Sequence, residues 1–425
     1  MGETLMRKRL VALMLCALIL LSSCSFSGKK VDFDYFYDNF NPLSVLGGSN
    51  LSAVALTQSY ILTMCADEST DSIAYIDYEA HKNGIGIADI EVNEAEDRST
   101  VEYTVKIGDD IKFSDGSDVT ARDVAFTLYA CCDIDYIGWA PVRYAGIVGV
   151  TDYRYKNSAA DEIIITDEQI ENELKDPSPE TVTYLQELVI IPVLEEEYRW
   201  VEHLYTDPAY KGTEGEELIK EYPEAPDLFA YYYSTDENYL PARDKEALID
   251  DIADMFVTDI DLLSTIYGSD LKENAKECAR RTLTEKALAS AGGERVNYIS
   301  GINIIDGKTL TVTLNDISED ALEKALGVFV IPFEVYGKNC TFDGKGFEID
   351  IDSVLSSTHT PVGAGPCVFE GYTAGKGVKF SANKNYFKEA PFECDVMLVE
   401  TGNSRISRDN EYYTILDERL VVAEK

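Results

Sequence analysis

Hydrophobic and polar residues alternate with period two in three stretches of the chain. In 101–107 the odd positions are apolar and the even positions are polar or charged, and similar alternation recurs in 309–314 and 378–381. This pattern predicts half-buried β-strands. We expect residues 100–114 and 308–315 to join one mixed sheet.

A tight turn and a capped helix are predicted directly after the first of these strands. Asp115-Gly116 favours the turn, because glycine adopts positive φ angles without steric cost. Thr120 is the expected N-cap: its hydroxyl can accept the Asp123 N–H, and the Asp123 carboxylate lies at the positive end of the helix dipole. The apolar residues on one face of the helix are Val124, Ala125, Leu128 and Tyr129. The segment therefore predicts a strand–turn–helix corner with an architectural role.

The middle of the chain has the apolar spacing of helices. The predicted helices cover about 52–64, the stretch from the capping box Thr166-Asp167-Glu168-Gln169 to Pro177, about 180–204 with an interruption near Pro192, 244–267 and about 270–291.

Two other segments of this region have different predictions. Ile163–Ile165 predicts a short strand, and 205–241 predicts a loop that carries Tyr231-Tyr232-Tyr233. A loop packed on the surface is favoured for the tyrosine run, and a ligand patch is the alternative.

Composition adds a strong acidic bias. The 425 residues carry a formal net charge of −40. Such a field keeps a protein soluble and repels nucleic acid and anionic lipid, so nucleic-acid binding is excluded as a function class. A solvated acidic surface is favoured over a calcium store, because no segment matches the D-x-[DN]-x-[DN]-G calcium loop.

The N-terminus has the features of a secretory signal. Arg7-Lys8-Arg9 precedes an apolar run from Leu10 to Leu21, which is shorter than the about 20 residues that a membrane-spanning helix needs. Leu21-Ser22-Ser23-Cys24 then resembles the lipobox of bacterial lipoproteins, which implies cleavage before Cys24 and lipidation of its sulfur. Acyl chains would anchor the mature chain to a membrane. The alternative is an ordinary cleaved signal with an incidental cysteine.

The reactive residue types form no familiar site pattern. The nine cysteines are scattered without a C-x-x-C pair, and there are only three histidines. We therefore expect most cysteines to be buried thiols without an essential disulfide, and we expect no metal or other cofactor.

Four segments together resemble a known family. YTVKIGDDIKFSDGSDVTARDVAFTLYA, INIIDGKTLTVTL, PVGAGPCVFEGYTAGKGVKFSANKNYF and the lipobox occur in the expected order. They are similar to the family 5 extracellular solute-binding proteins, the peptide- and nickel-binding lipoproteins of ABC importers. The chain departs from the family pattern at Ala364, Cys367 and Phe387, where the family has Thr, Tyr and Trp.

The resemblance implies a mixed α/β (α+β) fold: a first lobe like that of type II periplasmic binding proteins, with a helical insertion and with the second lobe missing. The implied division begins with a signal peptide at 1–23, followed by a lipidated tether and the start of lobe I at 24–50. Residues 51–330 form the main part of lobe I, which includes the helical insertion at about 155–300. The rest of the lobe I core covers 331–400, and a divergent tail covers 401–425.

The resemblance also implies a function and candidate residues. The family's members close on a solute, usually an extended peptide, and dock on a membrane permease. Asn41 and Leu43 match the family's early loop beside the ligand, while Tyr136 and Trp139 follow the capped helix, where an aromatic residue often reaches the cleft. All four residues could equally belong to the core.

Two other classes of function stay open beside this one. The acidic helical insertion could contact a partner, which would make the chain a surface interaction lipoprotein without solute binding. A hydrolase using paired carboxylates is disfavoured, because no G-x-S-x-G, H-E-x-x-H or Cys–His pattern occurs.

Overall fold

The computed structural model describes most of the chain between residues 29 and 422. The described residues are 29–33, 36, 38–45, 48–62, 64, 65, 75, 76, 87–95, 99–136, 138, 140–206, 214–236, 239–267, 270–318, 320–357, 360–387, 396–400, 413–416 and 419–422. The predicted signal peptide, Cys24, Trp139 and most of the predicted tail lie outside the described residues.

Strands in these ranges form two four-stranded sheets and three two-stranded ones. The strands are β1 (Lys29–Phe33), β2 (Met64–Cys65), β3 (Tyr75–Ile76), β4 (Ala88–Glu94), β5 (Val101–Ile107), β6 (Ile302–Ile304), β7 (Thr309–Leu314), β8 (Thr341–Phe342), β9 (Phe347–Glu348), β10 (Cys367–Thr373), β11 (Gly377–Ala382), β12 (Val396–Glu400), β13 (Tyr413–Leu416) and β14 (Arg419–Val422).

Helices make up most of the remaining described structure. They are α1 (Gly48–Ala55), α2 (Ala121–Cys131), α3 (Val150–Arg154), α4 (Asp167–Lys175), α5 (Pro179–Leu185), α6 (Ile191–Thr206), α7 (Glu214–Glu221), α8 (Ala225–Tyr233), α9 (Lys245–Phe256), α10 (Ile260–Tyr267), α11 (Asp270–Ala291), α12 (Ala321–Leu326), α13 (Phe333–Tyr336) and α14 (Ile351–Ser356). A 3₁₀ turn covers Pro141–Tyr144, and a π turn, Gln186–Ile190, joins α5 to α6. The fold is therefore mixed α/β with a helical middle, which confirms the predicted class.

The sheet predicted from the alternation pattern is present, in the order β4-β5-β7-β6. Val101 pairs with Leu314 and Lys106 pairs with Thr309, so the predicted pairing of the two segments is confirmed. Every pairing in this sheet is antiparallel, which corrects the expectation of a mixed sheet. Parallel pairing occurs in the other four-stranded sheet, between β1 and β12.

Helix α2 begins at its predicted N-cap. The Thr120 hydroxyl accepts the Asp123 N–H at 3.4 Å, and the Asp123 carboxylate accepts the Thr120 N–H at 2.9 Å. This reciprocal pair satisfies two backbone donors that the first turn of a helix leaves without partners. The predicted capping box is confirmed.

The same carboxylate also holds a distant segment. Asp123 Oδ1 accepts the N–H of Phe333 at 2.9 Å, and the Thr127 hydroxyl, one turn further along α2, accepts the N–H of Ile331 at 3.1 Å. Asp123 is only 5% exposed, and this burial raises its pKa, while the hydrogen bonds from Thr120 and Phe333 oppose the rise. The corner therefore positions residues 331–333 as well as its own strand.

Residues 167–291 form a helical block with a hydrophobic core of its own. Buried members of this core include Leu185, Leu194, Phe229, Ile252 and Phe256. They come from α5, α6, α8 and α9, because each helix turns one apolar stripe inward. The predicted capping box at Thr166 and the predicted interruption near Pro192 are confirmed, the latter as the π turn.

Three local predictions are wrong. Residues 205–241 are not a loop, since α7 and α8 lie within them. Ile163–Ile165 forms no strand, and the Ile164 side chain is 84% exposed. The helix expected at about 52–64 is α1, which ends at Ala55.

We predict that Asp123→Ala destabilises the protein more than Thr166→Ala does. The first change removes the acceptor for two backbone N–H groups in a buried corner and should cost about 2–4 kcal/mol. The second removes an exposed cap on α4 and should cost about 1 kcal/mol. Urea denaturation followed by circular dichroism measures both, and equal losses would contradict the central role of Asp123.

Candidate functional site

The turn at 113–117 brings together the segments that carry the family resemblance. The Ser114 N–H donates to the carbonyl of Gly363 at 2.9 Å, and the Asn385 side-chain amide donates to the Ser114 carbonyl at 3.1 Å. Gly116 has a φ angle of 91°, which is why the turn needs glycine at this position. The motifs around 113–130 and 361–387 thus meet at one point in the fold.

The third motif joins the same corner from the β6–β7 turn. The Ala121 N–H donates to the carbonyl of Gly307 at 3.0 Å. The Lys308 ammonium donates to the carbonyls of Val119 at 2.9 Å and Gly108 at 3.1 Å. One lysine therefore connects the end of β5, the start of α2 and the β6–β7 turn.

Gly363 and Gly365 allow a close backbone approach. The Gly365 N–H donates to the carbonyl of Thr57 at 2.9 Å. A Cβ atom at Gly363 would lie 2.3 Å from the Thr57 carbonyl oxygen, and one at Gly365 would lie 2.5 Å from the Gln58 nitrogen. A side chain at either position would push the two segments apart.

Three of the four cleft candidates lie in the core and contact one another. Asn41, Leu43 and Tyr136 are 0%, 0% and 1% exposed. The Asn41 side-chain amide donates to the carbonyl of Val354, the last buried residue of α14, at 2.8 Å. Its Oδ1 accepts the Leu43 N–H at 2.9 Å.

Tyr136 completes this cluster from the segment that follows α2. Its hydroxyl donates to the Leu43 carbonyl at 3.3 Å and accepts the Ala140 N–H at 3.4 Å. Burial raises the pKa of Tyr136 well above its ordinary value, so the phenol stays neutral. These contacts give Asn41, Leu43 and Tyr136 a structural role, and their place beside a ligand stays a prediction.

A charged junction that the sequence did not reveal lies between the α2 region and α11. Arg143 donates to the carbonyl of Tyr136 at 2.7 Å and to the side chain of Asn274 at 2.8 Å. Arg281 binds Asp135 at 2.5 Å, and its guanidinium lies 4.0 Å from the ring centre of Tyr184. The partners are up to 146 residues apart in sequence, so no local spacing could indicate them.

The buried cysteine thiols of the described residues are poorly suited to act as nucleophiles. Cys131, Cys132, Cys278, Cys340 and Cys367 are buried and unbonded to one another. Burial raises the pKa of Cys132, Cys278 and Cys367 to about 12, so these groups stay protonated at neutral pH. Within the described ranges, no three His, Cys, Asp or Glu side chains are grouped as metal ligands. None of the helices in those ranges is both long and apolar enough to cross a membrane.

Family comparison agrees with the corner motif. Residues 92–218 match the family model of bacterial extracellular solute-binding proteins, family 5 Middle. The match includes β5, the capped helix α2 and the beginning of the helical block, so the resemblance stated from the motifs is confirmed. No curated protein matches the chain.

Solved structures of family 5 type are also similar to the chain. OppA of Listeria monocytogenes bound to peptide is 12% identical, with 88% of this chain and 43% of that chain covered and a TM-score of 0.39. A lactococcal OppA with an endogenous peptide is 15% identical, with 89% and 43% covered and a TM-score of 0.40. NikZ of Campylobacter jejuni in complex with Ni(L-His) is 11% identical, with 90% and 40% covered and a TM-score of 0.38. The chain spans less than half the length of these structures.

We predict that Asn41→Ala destabilises the fold by about 2–3 kcal/mol, because it removes a donor and an acceptor from a buried loop. Asn303→Ala is the matched control, since Asn303 is exposed and makes one side-chain hydrogen bond at 3.2 Å. Thermal unfolding measures both variants. An Asn41 variant as stable as the Asn303 variant would show that the cluster is not structural.

Proposed function

We propose that this chain acts as a lipid-anchored, extracellular solute-binding protein of an ABC importer and that it binds peptides. The observation that carries the proposal is the family 5 match over residues 92–218, which contains the corner that joins the three motifs. The corner is the rigid support against which a solute would be held.

The proposed recognition uses the peptide main chain. Hydrogen bonds of the strand-addition type give affinity with little dependence on side-chain identity. Asn41, Leu43, Tyr136 and Trp139 are the proposed cleft residues, although the first three pack in the core and would act by holding the loop at 39–45. We propose that binding proceeds without catalysis and without a cofactor.

The proposed location is the outer face of a bacterial membrane, with Cys24 as the lipid attachment site and an ABC permease as the membrane partner. The net charge of −40 would oppose direct adhesion of the protein to anionic lipid. Anchoring would therefore depend on the acyl chains. The same charge argues against nucleic acid as a partner.

We predict that calorimetric titration of the mature chain with a pool of short neutral peptides gives saturable heat. Trp139→Ala should weaken this binding by about tenfold or more, as expected for an aromatic anchor. Ile317→Ala is the control, because Ile317 is an exposed apolar side chain in the loop after β7. Absence of heat with every pool would overturn solute binding by this chain.

We predict that cells fed a labelled fatty acid incorporate the label into this protein and that Cys24→Ala abolishes incorporation. Cys16→Ala should keep the label, because Cys16 lies inside the predicted signal peptide. An unlabelled wild-type protein released into the medium would contradict the anchor and support an ordinary cleaved signal.

A further inference from the structure

The surface of the helical block carries a row of aromatic rings, which we name the aromatic platform: Trp200, Tyr222, Tyr231 and Tyr232. The Trp200 and Tyr232 ring centres are 5.8 Å apart, those of Tyr232 and Tyr231 are 5.4 Å apart, and those of Tyr231 and Tyr222 are 4.7 Å apart. Three elements supply the rings, namely α6, the residue after α7, and α8.

The fold does not need all of these rings for its core. Successive residues on a helix are rotated by about 100°, so three adjacent tyrosines cannot share one face. Tyr233 points inward, is 8% exposed and packs 4.7 Å from Phe229. Tyr231 and Tyr232 remain 61% and 40% exposed. Large aromatic side chains at exposed positions of this kind commonly mark an interaction surface.

Contacts beneath the platform hold it in place. The Tyr205 hydroxyl donates to the carbonyl of Tyr222 at 2.5 Å, which fixes the turn between α7 and α8. The Tyr233 hydroxyl donates to Glu197 at 2.5 Å, which ties α8 to α6. Pro226 occupies the first turn of α8 and restricts its backbone. A rigid platform loses little conformational entropy when it binds a partner.

The excess of acidic residues around the platform favours a positively charged partner. Residues 161–300 contain 34 acidic and 12 basic residues. In the segments that carry the platform, 187–206 and 214–236, there are 12 acidic residues and 2 basic ones. Both basic residues, Arg199 and Lys220, already pair with a glutamate of their own helix.

Acidic residues are close neighbours of the rings along the chain. Glu196 lies one helical turn before Trp200 on α6, and Glu221 precedes Tyr222 directly. Burial, with the neighbouring Glu197 charge, raises the pKa of Glu196 to about 7. Above that pH the Glu196 carboxylate is ionised, which favours a cation near the ring faces.

We propose that the aromatic platform is a docking surface for a cationic polypeptide segment whose arginine side chains lie over the tyrosine and tryptophan faces and pair with the surrounding carboxylates. Aromatic faces attract guanidinium groups through the ring quadrupole, and the acidic field steers and orients a cationic partner. This site uses none of the proposed cleft residues and does not depend on solute binding.

The test is calorimetric titration of the full mature chain, at pH 8 and low salt, with a short peptide of alternating arginine and glycine. The wild-type chain should bind it saturably. The double variant Tyr231→Ser, Tyr232→Ser should weaken binding by about fivefold or more. The double variant Tyr231→Phe, Tyr232→Phe keeps the ring faces and should bind as the wild type does.

Two controls test whether binding depends on the platform rings and on the positive charge of the peptide. Ile164→Ser removes another exposed apolar side chain of the same region and should leave the affinity unchanged. A peptide with citrulline in place of arginine keeps the shape without the charge and should bind about tenfold more weakly or worse. Circular dichroism confirms that the variants remain folded.

Three outcomes would overturn the proposal. Undiminished binding by the Ser double variant would show that the acidic surface alone attracts the peptide. Equal binding of the citrulline peptide would indicate a neutral stacking partner, such as a carbohydrate, instead of a cation. Failure of the wild-type chain to bind the arginine peptide would remove the basis for a cationic partner.

Discussion

The buried Asp123 carboxylate connects helix α2 to a distant segment of the described fold, and the packing around this corner depends on it. Asp123 accepts hydrogen bonds from its own helix cap and from Phe333, more than two hundred residues further along the chain. A buried carboxylate is costly unless donors surround it, and here the cap of α2 and the segment before α13 supply them. Because α2 packs between the β4-β5-β7-β6 sheet and that segment, the orientation of the helix fixes both. The glycine contacts at 363–365 and the lysine contacts at 308 then attach the remaining motifs to the same corner.

Local sequence patterns predicted two kinds of feature. One kind comprises hydrogen bonds between residues close in sequence, and the other comprises strands whose alternating apolar and polar residues define one buried face. The capping boxes at Thr120 and Thr166 depend on residues three apart, and the β5–β7 pairing follows from two strands with matching polar faces. The error at 205–241 has a physical cause. Pro226 lies in the first turn of α8, where its missing N–H costs no hydrogen bond, and burial of Phe229 stabilises the helix.

The candidate site was less accessible to sequence reasoning. Asn41, Leu43 and Tyr136 do lie together, yet they are joined by side-chain to backbone hydrogen bonds inside the core, and no spacing distinguishes such a residue from one that faces a ligand. The Arg143 and Arg281 contacts depend on how the helical block packs against α2, which is a property of the tertiary structure alone. Only the family match over 92–218 connects the corner to a class of protein.

The π turn at 186–190 determines which side of α6 faces solvent. A π turn accommodates one residue more than an α-helical turn does. The residues after it on α6 are therefore rotated by about 100° relative to the same sequence in an unbroken α-helix. Without this turn, Trp200 and the glutamates before it would face another side of the helical block. One irregular turn thus sets the orientation of the side chains on a whole helix.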